Sequence, residues 1–309
     1  MYKPQGIYVA MVTPFDEAGE VDEKALRNMV EFYVQAGVDG VFSAGSSGEF
    51  IHLGPRGCVE ANRIVADQVR GRIEVLAGAS ASRPRDCVAI AQRAKEDGCQ
   101  AAVICPPPYY RLSQDMIRYH YELIAEQVNF PLVLYNIPMF TNPISPEIIG
   151  KLSRLPNIVG LKDSSGSMVD FMAAIDAVQR NDGDLQFLTG REENLFASLI
   201  VGGAGCIGGG AAVVPEAMVA IYRAYQMGNH ERLRCLQLSI VQLVRIMMSL
   251  PFPVGFKVGL ELRGMPAGEL QQPLSPEAEA EIEKVRPQIQ ALIREVLHTA
   301  TCACGNRCA

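Results

Sequence analysis

The sequence predicts an α/β fold, a (β/α)8 TIM barrel carrying an additional C-terminal helical layer. Three observations predict it. Eight short apolar, β-rich runs recur along the chain. They alternate strictly with amphipathic helical patterns, and strand–helix alternation implies parallel strands. After Pro215 the strand pattern stops while helical periodicity continues. Eight units in about 210 residues imply a closed barrel. A doubly wound open sheet is the other arrangement that the pattern permits.

The strand-like runs are residues 7–12, 40–44, 74–79, 102–105, 132–135, 158–162, 185–189 and 204–207. Each is an apolar run of strand length bounded by turn residues. The helical spacers are 22–36, 55–70, 85–97, 114–127, 145–155, 167–180 and 193–201, with Asp22 as an N-cap. Segments 216–227, 230–249 and 276–298 read as three further helices. The chain is expected to be one barrel domain over 1–298, with C-terminal helices from about 216. A flexible Cys-rich tail is expected over 299–309.

A 49% hydrophobic composition in 309 residues supports a sizeable core. The balance of 28 basic and 34 acidic residues argues against nucleic acid and anionic membrane as partners. The start has no signal-peptide core, and no stretch is long enough to span a membrane. A cytoplasmic protein is expected. Cys58, Cys87, Cys99, Cys105, Cys206 and Cys235 read as reduced thiols in core-like segments. The tail cysteines 302, 304 and 308 match no zinc spacing.

In a barrel the active site lies at the C-terminal ends of the strands. Lys162 ends the sixth run and is followed by Asp163-Ser164-Ser165-Gly166. Desolvation at such a strand edge favours a free amine over an ammonium, and a free amine can form a Schiff base with a carbonyl. The alternative is a lysine that snorkels out of a core strand. Tyr135 ends the neighbouring run, close enough to share a pocket and relay protons. Gly45-Ser46-Ser47-Gly48 offers backbone N–H groups and two hydroxyls to a carboxylate or phosphate. The glycine-rich loops at Gly190 and 208–210 allow a phosphate site. Lys257, in the helical region, reads as structural or peripheral. There is no Walker motif, no His-Glu-x-x-His and no paired Cys-x-x-Cys, so no cofactor or metal is expected.

Gly45-Ser46-Ser47-Gly48-Glu49, Tyr135-Asn136-Ile137-Pro138 and Gly160-Leu161-Lys162-Asp163 occur in the order and spacing of a known family. Over roughly residues 5–295 the chain resembles the dihydrodipicolinate synthase / N-acetylneuraminate lyase superfamily of class I pyruvate aldolases. The resemblance implies a homotetramer that binds pyruvate as an imine on Lys162, with Tyr135 as the proton relay. Ser46 and Ser47 stand where the hydroxyl pair holds the pyruvyl carboxylate; many members have threonine there. Tyr110 matches a tyrosine that some members lend across a dimer interface, and Ile207 a residue whose carbonyl faces the pyruvyl group.

One departure concerns specificity. Phe140 stands where the synthase has an arginine that grips the distal carboxylate of its aldehyde, and a ring cannot replace a bidentate anchor. The usual glycine after Thr141 is Asn142. The sequence looks nearest to the 2-keto-3-deoxy sugar acid aldolases. Arg191, with Glu192 and Glu193, orients a sugar-acid chain or forms a solvated loop. The expected activity is cleavage or formation of a 4-hydroxy-2-oxo acid from pyruvate and an aldehyde. Dehydration of a deoxy sugar acid, 4-hydroxy-tetrahydrodipicolinate synthesis and a non-catalytic small-acid sensor stay open.

Overall fold

A computed structural model describes residues 2–302. Eight strands follow in order: β1 (Gly6–Ala10), β2 (Gly40–Ser43), β3 (Glu74–Gly78), β4 (Ala101–Ile104), β5 (Leu132–Asn136), β6 (Ile158–Asp163), β7 (Gln186–Thr189) and β8 (Gly205–Gly208). Each pairs in parallel with the next, and β8 pairs back on β1, so the sheet is a closed barrel. The open-sheet alternative is thereby removed.

Alternation of side chains along each strand splits the apolar residues into two cores. Tyr8, Phe42, Leu76, Val103, Val133 and Leu188 fill the barrel interior. Their neighbours, such as Ile7, Val9, Val41, Ala77 and Leu134, face outward against the helices. Local capping agrees with this plan. Asp22, Ser113, Ser145, Ser167 and Ser275 each accept a hydrogen bond from a first-turn amide of the helix that follows.

The N-terminal end of the barrel is plugged. Glu74, at the start of β3, accepts hydrogen bonds from the hydroxyls of Tyr2, at 2.5 Å, and of Tyr8. The Gln5 amide donates to the Tyr8 oxygen at 3.2 Å. Burial holds both phenols far above their ordinary range.

After β8 come helices Gly210–Val213, Pro215–Gln226, His230–Ser249, Val254–Leu262 and Pro276–Thr301. The helix Pro276–Thr301 runs into the segment 299–309 expected to be a flexible tail, which corrects its start, and residues 303–309 of that segment lie outside the described ones. The helix Val254–Leu262 was not anticipated, because Pro251, Pro253, Gly255 and Gly259 read as breakers. Its first seven residues are all buried. Gly255 permits this: a Cβ there would lie 2.0 Å from the Met247 carbonyl oxygen. Helix Phe50–Val69 also begins earlier than expected, with a kink at Gly54 (φ 61°). Cys235 is disulfide-bonded, which corrects its reading as a reduced thiol. It lies on a half-exposed face of its helix rather than in the core.

The buried helix carries Lys257 into the barrel's upper face. Its Nζ lies 3.0 Å from Glu49 Oε1, with both side chains at most 4% exposed. It also donates to the Glu269 carbonyl at 2.5 Å and sits 4.9 Å from the centre of the Phe15 ring. Glu49 ends the Gly45–Gly48 turn in a left-handed conformation (φ 57°). Removing one partner of a buried ion pair strands the other charge, at a cost of ~3–5 kcal/mol. Lys257→Met is therefore expected to lower unfolding stability by that amount in urea titrations. Glu49→Gln combined with Lys257→Met should recover much of the loss. A single variant as stable as the parent would refute the assigned role.

Candidate active site

The β5–β6 ladder sets the site. Tyr135 pairs with Lys162, and Asn136 with Asp163. Lys162 and Tyr135 both point into the barrel and are only 3% exposed. The Lys162 nitrogen lies 4.2 Å from the centre of the Tyr135 ring and 4.6 Å from that of Phe42. One position further, both side chains turn outward. There Asn136 donates to Asp163 at 2.7 Å, and the Ser165 hydroxyl donates to Asp163 at 2.7 Å. Burial raises the Asp163 carboxyl above its ordinary range against the pull of these hydrogen bonds. The Asn136–Asp163 contact ties the two strand ends together directly behind the Tyr135–Lys162 pair.

A cavity of about 50 Å³ sits over Lys162. Tyr135, Ser47, Phe140, Arg191 and Ile207 line it with Lys162, so the structure gathers six of the eight sequence-selected residues. Ser46 is next door, its hydroxyl oxygen 3.4 Å from that of Tyr135. The Ser46–Ser47 turn is fixed from below, where the buried Thr13 hydroxyl donates to the Gly48 carbonyl at 2.7 Å. Tyr110 is not brought in. It is 75% exposed and stacks edge-on against Tyr109 in a separate surface cleft. Asn142 holds that loop, donating to the Tyr110 carbonyl at 2.8 Å and accepting from the Leu112 amide at 2.9 Å.

The far wall of the cavity is built from the loops after β7 and β8. Gly190 packs closely here: a Cβ would lie 1.9 Å from Ser164 Oγ, which would have to rotate away, and 3.0 Å from Lys162 Cε. Arg191 is no free cation: its guanidinium donates to Glu193 at 2.9 Å. Glu192 is fully enclosed, and the Gly210 amide donates to its carboxyl. At the loop read as a possible phosphate site, the Gly210 amide is thus already engaged by a carboxyl group. Gln237 secures the turn by donating to the Glu192 carbonyl at 2.9 Å. Sequence reading found Glu192 only as a neighbour of Arg191. Its burial depends on loop packing that no local pattern announces.

The model of the dihydrodipicolinate synthetase family matches residues 3–292. A 4-hydroxy-tetrahydrodipicolinate synthase of Nitratidesulfovibrio vulgaris is 31% identical over 96% of this chain and 98% of its own length. An uncharacterised DapA-like lyase of Halobacterium salinarum is 35% identical over 87% of this chain and 88% of its own. Among solved structures, YagE of E. coli K12, in complex with pyruvate, superposes with a TM-score of 0.86 at 26% identity. That match covers 95% of this chain and 98% of YagE.

Burial, and then the charge of Glu193, push the Glu192 carboxyl from 4.5 up to about 7. The folded chain thus holds this proton more tightly than the unfolded one. The stability it contributes is complete below pH 4.5 and is lost as pH rises through about 7. Glu192→Gln keeps an acceptor oxygen for Gly210 and removes the titration. Between those pH values the melting temperature of the parent should fall relative to that of the variant. Parallel curves would return the carboxyl to the ordinary range.

Proposed function

The chain belongs to the dihydrodipicolinate synthetase family and is a lyase of its pyruvate-dependent class I type, and we propose that its imine forms on Lys162. The observation that carries this reading is the side-by-side, inward pairing of Lys162 and Tyr135 in one cavity. In that reading the Lys162 amine adds to the C2 carbonyl of pyruvate, and water leaves to give the imine. Tyr135 donates and recovers the protons of these steps, and Ser46 passes them onward from its hydroxyl. Ser47 and the amides of its turn hold the pyruvyl carboxylate, and the Ile207 carbonyl faces the pyruvyl group. Loss of a methyl proton gives the enamine, whose carbon attacks the aldehyde. Hydrolysis then releases a 4-hydroxy-2-oxo acid, and the reverse sequence cleaves it. Tyr110 enters only from a second copy, in keeping with the proposed homotetramer. The cytosol is the proposed compartment.

Two readings of the aldehyde compete. The first, carried by geometry, is an acceptor without a distal carboxylate, of which the 2-keto-3-deoxy sugar acids supply one type. It rests on Phe140 at the cavity mouth and on Arg191 being neutralised by Glu193. The second is 4-hydroxy-tetrahydrodipicolinate synthesis, and the curated relatives favour it by name. Retention or loss of the carbon–carbon bond in the product separates both from a dehydratase.

Pyruvate followed by borohydride should inactivate the protein and add mass at Lys162. Lys162→Arg should abolish labelling, since a guanidinium forms no imine. Tyr135→Phe should still fold yet turn over ~10²–10⁴ times more slowly, the range for a lost acid–base group. Label at Lys257, or none at all, would remove the mechanism. With pyruvate present, aspartate semialdehyde should condense poorly, and Phe140→Arg should improve it, a charge-assisted hydrogen bond adding ~1.5–3 kcal/mol. Rapid condensation by the parent, with no action on any deoxy-keto acid, would decide for the synthase.

A further inference from the structure

The cavity over Lys162, at about 50 Å³, holds roughly three to five water-sized groups. That suits a three-carbon acid and leaves no space for the rest of a product. Beside it opens a cleft of about 320 Å³. The two spaces share Phe140 and Phe252, whose ring centres are 5.1 Å apart. Ser46, whose hydroxyl neighbours that of Tyr135, lines the larger one. The cleft therefore adjoins the Lys162 cavity at the Phe140–Phe252 rings.

The walls define what it accepts. Phe50, Leu270, Leu274 and Pro251 complete an apolar surface with the two phenylalanines. No lysine or arginine lines it among the described residues. Its carboxylate, Glu49, is committed to Lys257, and His52 lies 3.3 Å from the same carboxylate. A polyol tail would find only Ser46, His52, Thr141 and Gln272 as polar side chains beside Glu49 on a wall that is otherwise apolar, and each hydroxyl left unmet is costly. An anionic tail would meet only the charge of Glu49.

We propose that this cleft is the acceptor subsite and that it takes an aldehyde with an apolar body, branched alkyl or aryl. The inference rests on the Lys162 imine and narrows its partner, ranking apolar tails above sugar-acid tails. The enamine carbon of pyruvate bonds to the aldehyde carbon, and the aldehyde oxygen takes a proton to become the 4-hydroxyl. Water then cleaves the imine and returns the amine of Lys162.

The test uses the full chain with pyruvate and, in turn, isobutyraldehyde, benzaldehyde and glyceraldehyde. The apolar aldehydes should show kcat/KM at least about tenfold above glyceraldehyde, the scale on which a hydrophobic pocket discriminates. Leu274→Asp, and independently Leu270→Asn, should erase that preference while borohydride trapping of pyruvate at Lys162 stays intact. Preference for glyceraldehyde with trapping intact would overturn the subsite alone. So would variants that change the oligomeric mass by light scattering but leave aldehyde choice untouched, because the cleft would then seat a second copy. Failure of trapping in the parent would remove the imine reading, and the subsite with it.

Discussion

The parity of β6 is the constraint on which the site depends. Successive side chains of a strand face opposite ways. Lys162 reaches the barrel interior only because Leu161 and Asp163 face outward. The register with β5 then sets Tyr135 beside it rather than one residue away. A slip by one residue would send the amine into the helix layer and put a carboxyl inside. Asn136 and Asp163 guard against that slip at the place where the two strands end. Barrel closure adds a second safeguard, since every strand is held on both sides.

Above that ladder, the catalytic face is assembled from parts distant in sequence. The Ser46–Ser47 turn is held by Thr13 from β1's loop and by Glu49, which Lys257 clamps from the C-terminal helices. Those helices are thus more than a cover. They contribute Phe252 and Phe256 to the cavity wall and the counter-charge for the turn that the proposed mechanism uses. Burial lowers the proton affinity of the Lys257 amine while Glu49 opposes the fall, so each charge depends on the other.

Much of this was legible in the sequence, and what was not has identifiable causes. The eight runs announced themselves because parallel strands are buried on both faces and read as apolar blocks. Lys162 stood out because a charged residue closes such a block. The helix Val254–Leu262 was hidden by glycines and prolines that usually interrupt helices. At Gly255 the missing side chain serves close packing against Met247 instead. The Glu49–Lys257 pair was invisible because no pattern links residues so far apart. Arg191 was read, with Glu192 and Glu193, as orienting a sugar-acid chain or forming a solvated loop, and its pairing with Glu193 was not foreseen. Only the turn after β7 brings the two together.

The tyrosine plug at the foot of the barrel gives the molecule a directionality. Tyr2, Tyr8 and Glu74 seal one end, and a solid layer of side chains lies between them and Lys162. The chamber is a blind well with a single mouth. Traffic through one mouth is last in, first out. In the proposed mechanism, whatever bonds to Lys162 at the bottom must arrive before its reaction partner, and a large partner lodged above it blocks its escape. Excess aldehyde should then act as a stopper on the empty well, so substrate inhibition is a property of the barrel's closed floor as much as of its chemistry.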